Sequence, residues 1–163
     1  MKTRYGFVSN SSSSSFVVAF KRRPASVDEL HKMLFDNNKT FIYYDYLFNT
    51  EQAANTVWKD MKGQCSLTLN EISSMIGEGY VEGAPEYPWS ECNVTEEQHR
   101  RNVDKYEDDT AEFIQKMAKR FVDDNVGAVL LSFSYSDNDG EYYSALEHGG
   151  LFQRLPHIRI SHH

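Results

Sequence analysis

Two features of this sequence point to an α+β fold, with α/β as the second choice. Val129, Leu131, Phe133 and Tyr135 alternate with Leu130, Ser132, Ser134 and Ser136, the two-residue period of a strand with one apolar face. From Thr50 to Gly77 and again from Thr95 to Phe121 the apolar residues recur instead at helical spacing, with no clear period in the loop between. An unbroken helical block between strands does not fit a doubly wound alternation. The expected architecture is a mainly antiparallel sheet of about four to five strands, with about four helices packed largely on one face. Its strands are Phe16–Phe20, Thr40–Tyr46, a terminal hairpin turning at Asp139-Gly140, and His157–Ser161. At 163 residues and 40% hydrophobic, the chain suits one domain. Within it lie a serine-rich leader (1–15), an acidic aromatic loop (77–94) and a hairpin module (127–163).

Taken in order, residues 11–15 are five serines held between two apolar patches, Phe7-Val8 and Phe16–Phe20. On composition the run is a flexible linker, but the flanking aromatic residues tether it to the fold. Successive hydroxyls and backbone N–H groups suit a phosphate, yet the spacing of a P-loop is missing. Ser26 and Glu29 form a capping box for a short helix to about Asp36, with Val27, Leu30, Leu34 and Phe35 on one face. Thr40–Phe48 is β-prone, with Asp45 as a water-facing charge inside it. Thr50 caps a helix whose inward stripe is Ala54, Val57, Trp58 and Met61, ending at Gly63. Thr68 and Glu71 box a third helix, carrying Leu69, Ile72, Met75 and Ile76 to Gly77. Thr95 caps the longest helix, with Glu96 and Glu97 in its first turn and a buried stripe of Val103, Tyr106, Phe113, Ile114, Met117 and Phe121. Asp104, Glu107, Asp108, Asp109 and Glu112 form the solvated face of that helix.

The stretch Gly6-Phe7-Val8-Ser9-Asn10, the serines and Phe16 resemble a leader found at the start of many small, uncharacterised proteins of tailed bacteriophages and bacteria. The closing Glu147-His148-Gly149-Gly150 and Leu155-Pro156-His157-Ile158-Arg159-Ile160-Ser161-His162-His163 are similar to the C-terminus of such proteins. The resemblance covers about a fifth of the chain. It implies phage or bacterial origin and assigns no catalytic residue.

Charge narrows the partners. The formal net charge is -7 at pH 7, and residues 1–62 carry nine Lys/Arg against six Asp/Glu, leaving eight against eighteen for the remainder. That balance disfavours general nucleic-acid binding, where Lys and Arg must displace phosphate counterions, and suits a basic partner. Cys65 and Cys92 lack metal-site spacing and are expected as free thiols. No apolar run approaches the roughly 20 residues of a bilayer span, and no signal-type core precedes Phe16. A cytoplasmic protein is expected, in the bacterial host if phage-encoded.

Two candidate sites emerge. In the loop, Glu78, Glu82, Glu86 and Glu91 are interleaved with Tyr80, Tyr87 and Trp89, an arrangement that suits a docking surface for a basic host or phage protein. The same residues also fit a solvated loop whose aromatics pack down on the body. This non-enzymatic binding role is the preferred reading, with no cofactor. The alternative is a small hydrolase dependent on a divalent transition metal, because His148, His157, His162 and His163 fall in the last sixteen residues. With the terminal segment folded as a hairpin, Asp137 and Asp139 would lie over about 20 Å from Glu147 and His148, too far to share an ion. If β pairing returned His157–Ser161 beside the hairpin, His148 and His157 would join Glu147. His162 and His163 would then join Asp139 or Glu141. An EF-hand at Asp137-Asn138-Asp139-Gly140 fails, since Tyr135 and Leu146 would hold the first and twelfth ligand positions.

Overall fold

Val17, Val18 and Phe20 are completely buried, which requires neighbours on both faces and both edges of the strand that carries them. The computed structural model, which describes residues 12–89 and 94–162, supplies them. Strand β1 (Ser13–Phe20) is the middle of a three-stranded antiparallel sheet, between β4 (Val129–Ser136) and β5 (His157–His162). Phe16 faces Phe133 on one side and Arg159 on the other. The remaining strands, β2 (Thr40–Tyr43) and β3 (Tyr46–Asn49), form a separate antiparallel hairpin.

Alternation along β1 divides the core in two. Phe16, Val18 and Phe20, with Leu131, Phe133 and Tyr135, pack against α1 (Val27–Phe35), α2 (Thr50–Asp60) and α5 (Glu141–His148). Val17 and Ala19, with Leu130, Ile158 and Ile160, pack against α3 (Leu69–Gly77) and α4 (Glu96–Asp124). The fold is α+β and antiparallel, as expected. Its helices cover both faces rather than largely one, because β1 carries a second apolar set, Val17 and Ala19, which Leu130 of β4 and Ile158 and Ile160 of β5 extend into a second core.

Three local expectations are corrected. The terminal segment is no hairpin: after β4 comes a 3-10 turn, Asp137–Asp139, and then α5. Gly140 does adopt the positive φ expected of it (104°), but it ends that turn and opens a helix instead of reversing a strand. The run Thr40–Phe48 is not one strand, since Tyr44 and Asp45 reverse it, with Tyr44 in the left-handed region at φ 52°. Asn49, not Thr50, caps α2: its side chain accepts from the N–H groups of Glu51 and Gln52, while Thr50 is buried.

The remaining helix starts follow their capping chemistry. Ser26 accepts from the Glu29 N–H, and complete capping boxes stand at Thr68 with Glu71 and at Thr95 with Gln98. No helix among the described residues is long and apolar enough to cross a membrane.

Both sheet edges are covered. On β4, the Gln64 side-chain amide pairs with Ser132 as a strand peptide would, donating to its carbonyl (2.8 Å) and accepting from its N–H (3.1 Å). Leu67 N–H donates to the Leu130 carbonyl beside it. On β5, Tyr80 and Ser161 exchange two backbone hydrogen bonds of 2.8 Å. Gly79 permits that approach, since a Cβ there would lie 2.7 Å from the Ser161 carbonyl oxygen.

Tyr135 is buried, and its hydroxyl donates to Asp60 Oδ2 at 3.1 Å. Burial, and then the charge of Asp60, hold its ionisation well above the ordinary phenol value. Below the phenol value of the unfolded chain this contribution is complete. As pH rises past about 10, the unfolded chain ionises while the native tyrosine does not, so stability falls. Urea unfolding from about pH 8 to 11 should therefore show a shallower alkaline loss for Tyr135→Phe than for the parent, by up to about 1.4 kcal/mol per pH unit.

Candidate functional site

Strand parity sends the serines of the leader to opposite faces. Ser12 and Ser14 lie on the α5 side, where both hydroxyls donate to Oε1 of Glu147, at 2.7 and 3.0 Å. Ser15 lies on the other side and contacts His162 Nε2 at 2.9 Å. The serine strand begins at Ser13, earlier than the Phe16 expected, because these hydroxyls have partners on both faces. The part of the leader up to Ser11 lies outside the described residues.

Glu147 is only 1% exposed, on the last turn of α5, and a buried carboxylate must be answered by donors or opposite charge. Its second oxygen accepts from the Asp137 N–H at 3.1 Å. Behind Ser14 stands Arg159, whose Nε and Nη2 both donate to the Ser14 oxygen, at 3.2 and 3.1 Å. The guanidinium thus reaches the carboxylate through one hydroxyl, a charge-assisted relay across strands β5 and β1 to α5.

His148 completes the cluster. Arg159 Nη2 lies 2.9 Å from its Nδ1, and a guanidinium can only donate, so Nδ1 accepts and Nε2 carries the ring proton. That proton faces Glu147 Oε1 and Ser12 Oγ, both at 3.4 Å. In this tautomer His148 cannot take a proton from Ser12, so a nucleophilic serine is not what the group is arranged for.

Ligand atoms of Asp137, Glu147 and His148 all lie within 4.8 Å of one another. The separation of over about 20 Å expected between the acid tip and Glu147 rested on a rise of about 3.3 Å per residue in a strand. A 3-10 turn and a helix, rising about 2.0 and 1.5 Å per residue, bring the two ends together. Asp137 Oδ1 is buried with no hydrogen-bond partner among the described residues.

The other histidines are placed differently from either pairing expected, because β5 pairs with β1 rather than with a second hairpin strand. His157 stands outside the cluster, exposed, with its ring against Phe16 and its Nδ1 bonded to the Leu155 carbonyl. His162 belongs to the opposite face, against Ser15, and among the described residues it forms no metal-ligating group with Asp139 or Glu141. His163 lies outside the described residues. Cys65 is an exposed free thiol, and Cys92 lies outside the described residues.

The acidic loop is held at its start by the Tyr80–Ser161 bridge and by Val81, which is buried against Ile158 and Ile160. Beyond that anchor its aromatics stand in solvent: Tyr80 is 58% exposed, Tyr87 40% and Trp89 81%. Tyr87 packs edge-on against both Trp89 and Tyr106 of α4, each at 5.2 Å between ring centres. Glu78, Glu82 and Glu86 are exposed, and none forms an ion pair among the described residues. Glu91 lies outside the described residues.

No protein family, curated protein or solved structure matches this chain. Its site residues therefore stand on geometry alone.

A satisfied, buried carboxylate that ties α5 to β1 has a measurable stability consequence. Glu147→Gln turns an amide N–H2 toward donors that need an acceptor, and the folded state should lose about 1–3 kcal/mol in urea unfolding at pH 7. Loss well under that range would show that the network contributes little.

Proposed function

We propose that the protein is a non-enzymatic interaction protein, phage-encoded in keeping with its leader, that docks on a basic surface of a host or phage protein through residues 78–89. The observation that carries this reading is Trp89, 81% exposed yet supported edge-on by Tyr87, which itself rests on α4. Leaving a large indole in water forfeits apolar burial, and a partner recovers it. The flanking glutamates have no cation of their own among the described residues, so they select a partner that brings Lys or Arg. The exposed acids Asp104, Glu107 and Asp108 on α4 extend the same field beside Tyr106.

Tagged protein recovered from expressing or infected cells should retain a basic partner, released progressively as salt is raised. Trp89→Ala should weaken the purified pair by about 30-fold or more, since a central aromatic anchor contributes 2 kcal/mol or more. Its thermal midpoint should not change. A partner retained equally by Trp89→Ala and by the double variant Glu82→Gln, Glu86→Gln would refute the docking role.

A second reading, the metal-dependent hydrolase, has one observation in its favour: the convergence of Asp137, Glu147 and His148, with Asp137 Oδ1 unpartnered. Ligation by His148 Nδ1 would have to displace Arg159, and ligation by Nε2 would need the other tautomer. Zinc or manganese titrated into purified protein should bind stoichiometrically, and His148→Ala should abolish it, if this reading holds. Heat of binding absent for both metals, or unchanged in His148→Ala, would remove it.

A further inference from the structure

The hairpin β2–β3 and the start of α5 enclose an open cleft of about 380 Å³. Its walls are four rings, Tyr43, Tyr44, Tyr46 and Phe48, together with Gly140, Ser144 and the carboxylate residues Asp137 and Glu141. Tyr43 and Tyr44 meet at 62° with ring centres 4.5 Å apart, and Tyr46 and Phe48 are inclined by 47° at 6.4 Å. Inclined rings make a concave wall, whereas coplanar ones would make a flat patch. The outer rings are left in solvent, Tyr44 at 78% and Tyr46 at 52% exposed.

Two properties of this wall select a ligand. Aromatic faces carry negative electrostatic potential and attract a cation placed over them. Among the described residues no Lys, Arg or His lines the cleft, while Asp137 and Glu141 do, and Asp137 Oδ1 is buried without a partner among them. A metal ion or a primary ammonium would lose strong hydration against a mostly apolar wall and regain few oxygen ligands. An alkylated ammonium is weakly hydrated, apolar at its surface and still positive.

Tyr43 is fixed from behind by stacking on His148, at 6.0 Å and 13°, and its hydroxyl accepts from Ser144 Oγ at 3.4 Å. Tyr44 is held by the turn at φ 52°, a conformation few side chains adopt. The Tyr43 ring is therefore positioned before any ligand arrives, and the Tyr44 ring packs edge-on against it.

We propose that this cleft binds a small, freely diffusing organic cation with a quaternary ammonium head, the rings surrounding the head and Asp137 and Glu141 supplying the counter-charge. The size fits a small-molecule site. The assignment is independent of the docking loop, which lies on β5 and α4. It shares only Asp137 with the metal cluster, and Tyr44→Asn, which leaves Asp137, Glu147 and His148 in place, separates the two.

The test is calorimetric titration of the full chain with choline and with its neutral isostere 3,3-dimethylbutan-1-ol. Choline should bind saturably and at least tenfold more tightly than the isostere. Tyr44→Asn, which keeps a residue tolerant of positive φ, and Tyr46→Ala should each weaken choline binding by tenfold or more. Glu141→Gln should weaken it several-fold, and all three variants should keep the parent circular dichroism. Equal affinity for the two compounds, no saturable binding of choline, or Tyr44→Asn binding like the parent would each overturn the proposal. Tenfold tighter binding of a short peptide carrying trimethyl-lysine would overturn the small-molecule assignment.

Discussion

A carboxylate shut away from water dictates much of how this chain closes. Glu147 is surrounded by donors that come from three separate parts of the sequence: the Ser12 and Ser14 hydroxyls, the Asp137 N–H and, through Ser14, the Arg159 guanidinium. Each pins a different element to α5. The serines fix the entry of the central strand, Asp137 fixes the turn leaving β4, and Arg159 fixes β5. Removing the charge from water costs several kcal/mol, and a net benefit requires nearly complete hydrogen bonding. A one-residue slip of β1 would still offer neighbouring serines to this face, so Phe16, Val18 and Phe20 fix the register while the serine hydroxyls supply the donors that Glu147 needs. That is a physical role for the serine run beyond the properties of a linker.

What the sequence made legible was what local chemistry decides. Caps at Ser26, Thr68 and Thr95 and the stripes behind them located α1, α3 and α4, because a cap and an amphipathic face act within a few residues. Strand β4 was equally plain from its alternation. The segment after it was misread because Tyr142 and Tyr143 favour strands, while burial of Ala145, Leu146 and Glu147 against the sheet decides for a helix. Tertiary packing overrode propensity there. The Tyr44-Asp45 reversal carried no glycine or asparagine to announce it, and its positive φ is imposed by the flanking strands.

The candidate sites were legible to different depths for the same reason. Exposed acids and rings in one loop are a property of that loop, so residues 78–89 could be singled out from composition. The Glu147 network joins positions more than 130 residues apart in sequence, and no spacing rule encodes it. A weak signal did exist: strand parity puts Ser12 and Ser14 on one face. An acid next to Ala145 and Leu146 in an otherwise apolar stretch needs partners of that kind. The aromatic cleft was hidden because it needs the hairpin and the helix start together.

Covering of the sheet edges joins fold to surface. An open β5 edge would invite pairing with another chain, and the Tyr80–Ser161 exchange occupies it. Gly79 makes that closeness possible, so the loop is seated by contacts that have nothing to do with binding. Its exposed rings follow from this duty: Val81 and the Tyr80 backbone are committed to the sheet, which leaves the Tyr80, Tyr87 and Trp89 side chains projecting from a fixed base. In the proposed docking role, a partner meeting that base would pay little ordering entropy on this side, since Tyr87 is already braced on Tyr106. In that role modest charge complementarity would suffice for selectivity, because the geometry of the contact would be set before encounter.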